Sequence, residues 1–110
     1  MLNTIINFIA RRGPVEPRVR LDDPGSDAVW QTGRIESGGY RFEVKAYGLP
    51  SEFGIEGGCI STLTVTDRWS RNEIMLYDRG WIIEPHTDEH KAILKLILDT
   101  FIPLENPPTE

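Results

Sequence analysis

The spacing of apolar residues in the last third of the chain predicts two strands followed by a helix. Residues 73–77 and 81–84 are short apolar runs, and the turn-forming sequence Asp-Arg-Gly at 78–80 separates them. We expect Gly80 to adopt the positive φ of this turn. Beyond residue 87 the apolar spacing changes to three and four residues, which is typical of an amphipathic helix. The apolar face of that helix comprises Ile93, Leu94, Ile97, Leu98 and Phe101.

The residues at the two ends of this helix mark its boundaries. Thr87 is a favourable N-cap, and Asp88 and Glu89 place negative charge in the first turn, where the helix dipole stabilises it. Pro103 ends the helix because proline has no backbone N–H to donate. A helix with one apolar face has to be covered, and the nearby strands indicate that it packs on a sheet.

Earlier residues predict the rest of that sheet. Residues 30–36 and 40–47 flank the glycine-containing loop 37–39, and apolar residues alternate with charged ones in the second of these segments. Residues 59–67 are rich in Thr, Val and Ile and predict another strand, with a polar hairpin loop at 67–72. The fold class is therefore α+β, with an antiparallel sheet of about five strands and the C-terminal helix packed on one face.

The N-terminal third has a different pattern. Leu2, Ile5, Ile6 and Ile9 recur at helical spacing and predict a short helix over residues 1–12. Three prolines in residues 13–28 predict a linker or arm, either extended or mobile. We assign residues 29–102 to the α+β domain and 103–110 to a disordered tail. Residues 2–10 could dock on the same chain, on a second copy to form a homodimer, or on a target.

Charge and composition limit the expected partners. The chain has a net charge of −5, with +1 in residues 1–47 and −6 in residues 48–110. Phosphate backbones repel such a chain, so we expect a protein with a basic surface and no direct nucleic acid. No apolar run reaches the roughly 18 residues of a membrane span, and the single cysteine indicates a reducing compartment. We therefore expect no membrane partner and a cytoplasmic location.

Candidate catalytic and metal-binding residues are few. His86 and His90 lie near Glu84, Asp88 and Glu89, but His86 precedes the N-cap, so the two imidazoles need not share a helix face. Cys59 has no base tied to it by spacing, and a buried strand cysteine is the commoner state. We expect no catalytic residue, no metal and no cofactor.

Two surface motifs are candidate binding sites. Trp69 lies in the polar loop between Arg68 and Arg71, and an exposed tryptophan flanked by arginines is typical of a protein-binding surface. The second motif surrounds the 78–80 turn, where Arg79 could bind an anion in a ligand pocket next to the 48–58 loop. Its lining residues would be Tyr77, Asp78, Arg79, Trp81 and His86. The simpler interpretation is a tight turn whose aromatic residues pack under the helix.

The sequence SEFGIEGGCISTLTV at 51–65, followed by YDRGW at 77–81, resembles a family of small uncharacterised proteins encoded in bacteria, phages and mobile elements. The resemblance implies a domain outline and carries over no catalytic residue. Small acidic proteins of this kind often bind and block a host protein. We therefore expect a non-enzymatic interaction protein in the cytoplasm of a bacterial cell or phage host, such as an anti-CRISPR inhibitor of a defence complex. The alternatives are a small ligand-binding or hydrolytic domain, and a structural homodimer.

Overall fold

The structure is a computed structural model of the chain, and it describes residues 17–36 and 39–102. These residues form six strands, a single turn of 3-10 helix at Ile55–Gly57 and one α-helix. The strands and the helix are β1 (Arg18–Leu21), β2 (Trp30–Glu36), β3 (Tyr40–Ala46), β4 (Ile60–Asp67), β5 (Glu73–Asp78), β6 (Trp81–Ile83) and α1 (Asp88–Thr100).

All six strands belong to one antiparallel sheet in which each strand pairs with the next in sequence. The alternation in β3 buries Tyr40, Phe42 and Val44 and leaves the charged residues between them exposed. Partners in register point to the same face, so Phe42 lies beside Gly33 of β2 and Val65 of β4. One face of the sheet is therefore continuously apolar.

Helix α1 covers this apolar face. Its buried residues are Ile93, Leu94 and Ile97, and Ile97 is completely shielded from solvent. The helix begins as predicted, because the Thr87 side chain caps it by accepting a hydrogen bond of 3.0 Å from the backbone N–H of His90. In the described part of the chain, no helix has the length and apolar character needed to span a membrane.

The sheet has one strand more than the five or so predicted. The additional strand is β1, which lies within the segment interpreted as a linker or arm. Its Val19 faces Ile35, and its Leu21 faces Gly33. The missed strand has only four residues between prolines, so its alternation is too short to stand out without the pairing partner. The predicted N-terminal helix and C-terminal tail lie outside the described residues.

The turn between β5 and β6 also differs from the prediction. Arg79, rather than Gly80, has the positive φ, with a value of 58°. In this conformation the Arg79 backbone N–H donates a hydrogen bond of 2.9 Å to the Ser61 carbonyl on β4. A tertiary hydrogen bond thus offsets the strain of a left-handed arginine, and the identity of the residues alone could not reveal it.

Candidate functional site

The second face of the sheet is polar and is not covered by α1. We call it the open face. Three rows of side chains cross it, since partners in register point the same way. The rows are Arg20, Arg34, Arg41 and Thr66; then Thr32, Glu43, Thr64 and Leu76; then Trp30, Lys45, Thr62 and Asp78. Every side chain in these rows is exposed or half-exposed.

Three arginines stand side by side in the first row. Like charges opposite one another on neighbouring strands are unfavourable unless carboxylates compensate them. Arg20 forms an ion pair with Glu36, and Arg41 forms one of 2.7 Å with Asp22. Arg34, between them, makes no salt bridge within the described residues and is exposed. The row therefore offers at least one guanidinium that is available to a partner.

Asp22 organises the edge of this face. Its carboxylate accepts hydrogen bonds of 2.5 Å from the Thr32 hydroxyl and 2.7 Å from the Arg41 guanidinium. The bond from Thr32, and then the bond and charge of Arg41, hold the pKa of Asp22 below its usual value. Similarly, the hydrogen bond from Arg20 lowers the pKa of Glu36. Both carboxylates therefore help to fix β1 on β2 and β3 while they are ionised.

A shallow depression of about 570 Å³ lies on the open face, over β2, β3 and β4 and beside the loop between β4 and β5. It is lined by Thr32, Arg41, Phe42, Glu43, Thr64, Thr66, Asp67, Arg68 and Arg71. The Asp67 carboxylate is already engaged, because it accepts hydrogen bonds from the backbone N–H groups of Trp69 and Ser70. Arg71 is exposed and has a positive φ of 67°. The depression thus combines three guanidinium groups with threonine hydroxyls.

The three residues predicted to bind a partner lie together at this depression. Arg68 and Arg71 line it, and Trp69 is beside them with 80% of its surface exposed. The Arg68 guanidinium lies 5.5 Å from the centre of the Trp69 ring. The ring also lies against Gly39, where an added Cβ would be only 2.8 Å from the indole nitrogen. The hairpin loop therefore holds Trp69 close to the sheet while leaving most of it exposed.

Two further aromatic residues lie at the opposite end of the open face. Trp30 and Tyr47 are each about half exposed. The Lys45 ammonium group lies 5.7 Å from the Trp30 ring and 5.8 Å from the Tyr47 ring. The open face therefore has exposed aromatic residues at both ends and arginines between them.

The residues of the second candidate site, the ligand pocket predicted around the 78–80 turn, divide between the core and the surface. Tyr77 is buried, and its hydroxyl donates a hydrogen bond of 2.9 Å to the Phe53 carbonyl in the 48–58 loop. Its ring packs edge-on against Trp81, with 5.0 Å between ring centres. Asp78, Arg79 and His86 are exposed. Both aromatic side chains thus pack with the core, and Tyr77 anchors the loop.

The histidine cluster does not come together as a metal site. Within residues 17–36 and 39–102, no three His, Cys, Asp or Glu side chains converge so that they could hold a metal ion. His90 instead packs edge-on against Tyr40, with ring centres 6.0 Å apart. Burial, and then the nearby Glu89 carboxylate, raise the pKa of Tyr40 to about 12.

Cys59 is a buried residue just before β4. Burial raises the pKa of its thiol. A thiol with a raised pKa is a poor nucleophile, and this environment is the one expected of a cysteine that contributes to packing.

The row of arginines was missed in the sequence because its members come from three separate strands. The alternation of apolar and charged residues in β3 did indicate a solvent-facing side for Arg41. Arg20, Arg34 and Arg41 lie side by side because of the register between their strands, and register cannot be predicted from the residue pattern within any one strand.

Comparison with known proteins gives a match to a family model. No curated protein and no solved structure matches the chain. A family model described as a domain of unknown function, DUF7678, matches residues 29–102, which run from the residue before β2 to the residues after α1. Because this match covers more than half of the 110 residues, the chain belongs to the DUF7678 family.

Proposed function

We propose that this chain is a non-enzymatic binding module that docks the open face of its sheet on a protein partner. The observation that carries the proposal is the composition of that face. Trp30, Tyr47 and Trp69 are exposed at its ends, and exposed arginines lie between them. Tryptophan, tyrosine and arginine are the residues that most often dominate binding energy at protein interfaces.

The distribution of charge supports the open face as the docking surface. Of the ten cationic residues in the described part, seven lie on this face or line its depression, together with six carboxylates. The cations are Arg18, Arg20, Arg34, Arg41, Lys45, Arg68 and Arg71, and the carboxylates are Asp22, Glu36, Glu43, Asp67, Glu73 and Asp78. The remaining described residues include three cations and eight carboxylates. A chain that is acidic overall therefore has one weakly basic face.

Because positive charge is concentrated on the open face, the partner expected there differs from the basic protein expected from the net charge of the chain. A basic protein surface would be attracted by the helix side and the loops, where the carboxylates predominate. The open face suits a partner that presents carboxylates of its own. Its mixture of charges favours a protein over a nucleic acid, because Glu43 lies in the middle row and would repel a phosphate backbone.

The sequence resemblance adds a biological setting to this proposal. It supports a phage or mobile-element protein that binds and inhibits a bacterial defence complex in the cytoplasm, as an anti-CRISPR protein does. In that setting the open face would occupy a surface that the complex needs for its own contacts. No bond-making step is required of the chain, and inhibition follows from occupancy alone.

The proposal can be tested by affinity capture with matched charge reversals. Arg34→Glu reverses an exposed charge in the middle of the open face, and Lys95→Glu reverses an exposed charge on α1. We expect a specific partner to be retained by the wild type and by Lys95→Glu, and to be lost with Arg34→Glu. The captured protein should then be purified and its Kd measured against the same three chains.

Trp69→Ala provides a second measurement that does not depend on charge. Its side chain is mostly exposed, so the substitution should leave the unfolding midpoint nearly unchanged while weakening the complex. If the purified partner binds Arg34→Glu and Trp69→Ala as tightly as the wild type, the open face is not the docking surface and the proposal is wrong.

A further inference from the structure

We propose that the depression lined by Arg41, Arg68 and Arg71 is a carboxylate-binding subsite, which receives an Asp or Glu side chain from an acidic segment of the partner. This inference rests on the proposed function and names the partner's chemistry. It assigns the depression to the recognition of a single negative charge that is carried by a polypeptide.

The guanidinium groups of the depression differ in how much they are already engaged. Arg41 is held by Asp22, and Arg68 lies over the Trp69 ring. Arg71 makes no salt bridge within residues 17–36 and 39–102, and its left-handed backbone conformation is one that few arginines adopt. Arg71 is therefore the guanidinium best able to form a forked pair with an incoming carboxylate.

Hydroxyl groups complete the subsite. Thr64 and Thr66 belong to β4, are half-exposed and line the depression. A threonine hydroxyl can donate one hydrogen bond to an oxygen that a guanidinium fork leaves unpaired. The strand fixes both side chains, so little ordering is needed when the ligand enters.

The net charge of the depression decides between a carboxylate and a phosphate chain. Three arginines face two carboxylates, Glu43 and Asp67, so the lining has a net charge of +1. One carboxylate neutralises this charge, whereas successive phosphates would bring further negative charge next to Glu43. An acidic peptide segment with neutral residues between its carboxylates fits these conditions.

The sequence offers a matched pair of variants for the test. Arg71 and Arg79 are both exposed hairpin arginines with positive φ, of 67° and 58°, but only Arg71 lines the depression. Asparagine tolerates this backbone conformation, so Arg71→Asn and Arg79→Asn each remove one charge without forcing a change in the turn. Binding of a synthetic peptide of alternating Glu and Thr can be followed by the fluorescence of Trp69, with a Trp69→Phe variant identifying the signal.

We expect the Glu-Thr peptide to bind the wild type and Arg79→Asn equally, and to bind Arg71→Asn about fivefold more weakly. This is the change expected when one exposed charged contact worth about 1 kcal/mol is lost. A Gln-Thr peptide of the same length should not bind. The effect should diminish as salt is added, because both charges are exposed.

Three results would overturn the carboxylate subsite. They are equal binding of the Glu-Thr peptide to Arg71→Asn and the wild type, tighter binding of a single-stranded oligonucleotide of the same formal charge, and binding of oligolysine in place of the acidic peptide. None of them decides whether the open face docks on a protein, since that question is tested with the purified partner, Arg34→Glu and Trp69→Ala. The two proposals therefore fail separately.

Discussion

Replacing Gly33 by alanine tests how the open face is built, because this glycine lies where β1, β2 and the core meet. Gly33 is buried in β2, with Leu21 on one side and Phe42 on the other in register. A Cβ at this position would be 2.6 Å from the Arg20 carbonyl oxygen and 2.6 Å from the tip of the Phe42 ring. Real Cβ atoms essentially never make contacts this short.

The loss of stability depends on how far the Phe42 ring and the Arg20 carbonyl can move away from the added Cβ. The Phe42 ring packs edge-on against Phe101, with ring centres 6.3 Å apart, so its movement would disturb the contact with the residue that follows α1. The Arg20 oxygen is backbone, and it can retreat only if β1 moves with it. We expect overpacking to cost about 2–3 kcal/mol, offset by about 0.4–1 kcal/mol from the stiffer unfolded chain. The free energy of unfolding should therefore fall by about 1–2.6 kcal/mol.

Urea denaturation of Gly33→Ala and the wild type measures this difference, and hydrogen exchange locates it. We expect the amides of β1 to exchange faster, since this edge strand has to move. Gly80→Ala is the matched control, because Gly80 has no neighbouring atom within 4 Å of its added Cβ and no positive φ. That variant should be as stable as the wild type or slightly more stable.

A double-mutant cycle sharpens the test. Phe42→Leu removes the ring atoms nearest to Gly33, so it should cost less in the Gly33→Ala background than alone, with a coupling of at least about 0.5 kcal/mol. Rescue should be incomplete because the contact with the Arg20 carbonyl remains. Full stability of Gly33→Ala, or strict additivity of the two substitutions, would refute this description of the packing.

Three further predictions concern the helix cap and two titrating groups. Thr87→Ala should lower the free energy of unfolding by about 1 kcal/mol in urea denaturation, whereas Thr87→Ser, which keeps the capping oxygen, should lower it much less. The folded pKa of Asp22 lies below its unfolded value near 3.8, so its carboxylate stabilises the fold above that pH, and this stabilisation is lost as pH falls through the folded pKa. The urea midpoint of Asp22→Asn should therefore be lower than that of the wild type at neutral pH and should approach it in acid. Because burial raises the pKa of Tyr40 to about 12, its neutral form contributes stability that is present below pH 10 and is lost as pH rises through that pKa. Ultraviolet titration should therefore show a tyrosinate step at high pH that is absent from Tyr40→Phe.

The local residue pattern was sufficient to predict a feature where its interactions lie within one element or between neighbours in the chain. Thr87 caps α1 because the N–H that it accepts from belongs to His90, three residues away. The alternation of β3 identifies its buried side because each residue points opposite to the next. Trp69 was recognised as exposed because the polar residues around it indicated a loop.

Local pattern failed where the partner is distant in sequence. β1 was missed because its four residues gain their conformation from β2. The left-handed Arg79 depends on Ser61, which lies 18 residues earlier. The prediction of a basic partner stays a prediction, since it follows from net charge, which contains no information about which face of the sheet carries each residue.

The amino-acid sequence by itself determined that residues 29–102 contain an antiparallel sheet covered by one amphipathic helix, because periods of two and of three to four residues are properties of neighbouring side chains. Tertiary structure alone decided that Arg20, Arg34 and Arg41 stand in one row and that Arg71 shares a depression with Arg41. Strand register decides which side chains lie beside one another, and register is fixed by the collective packing of all six strands against α1.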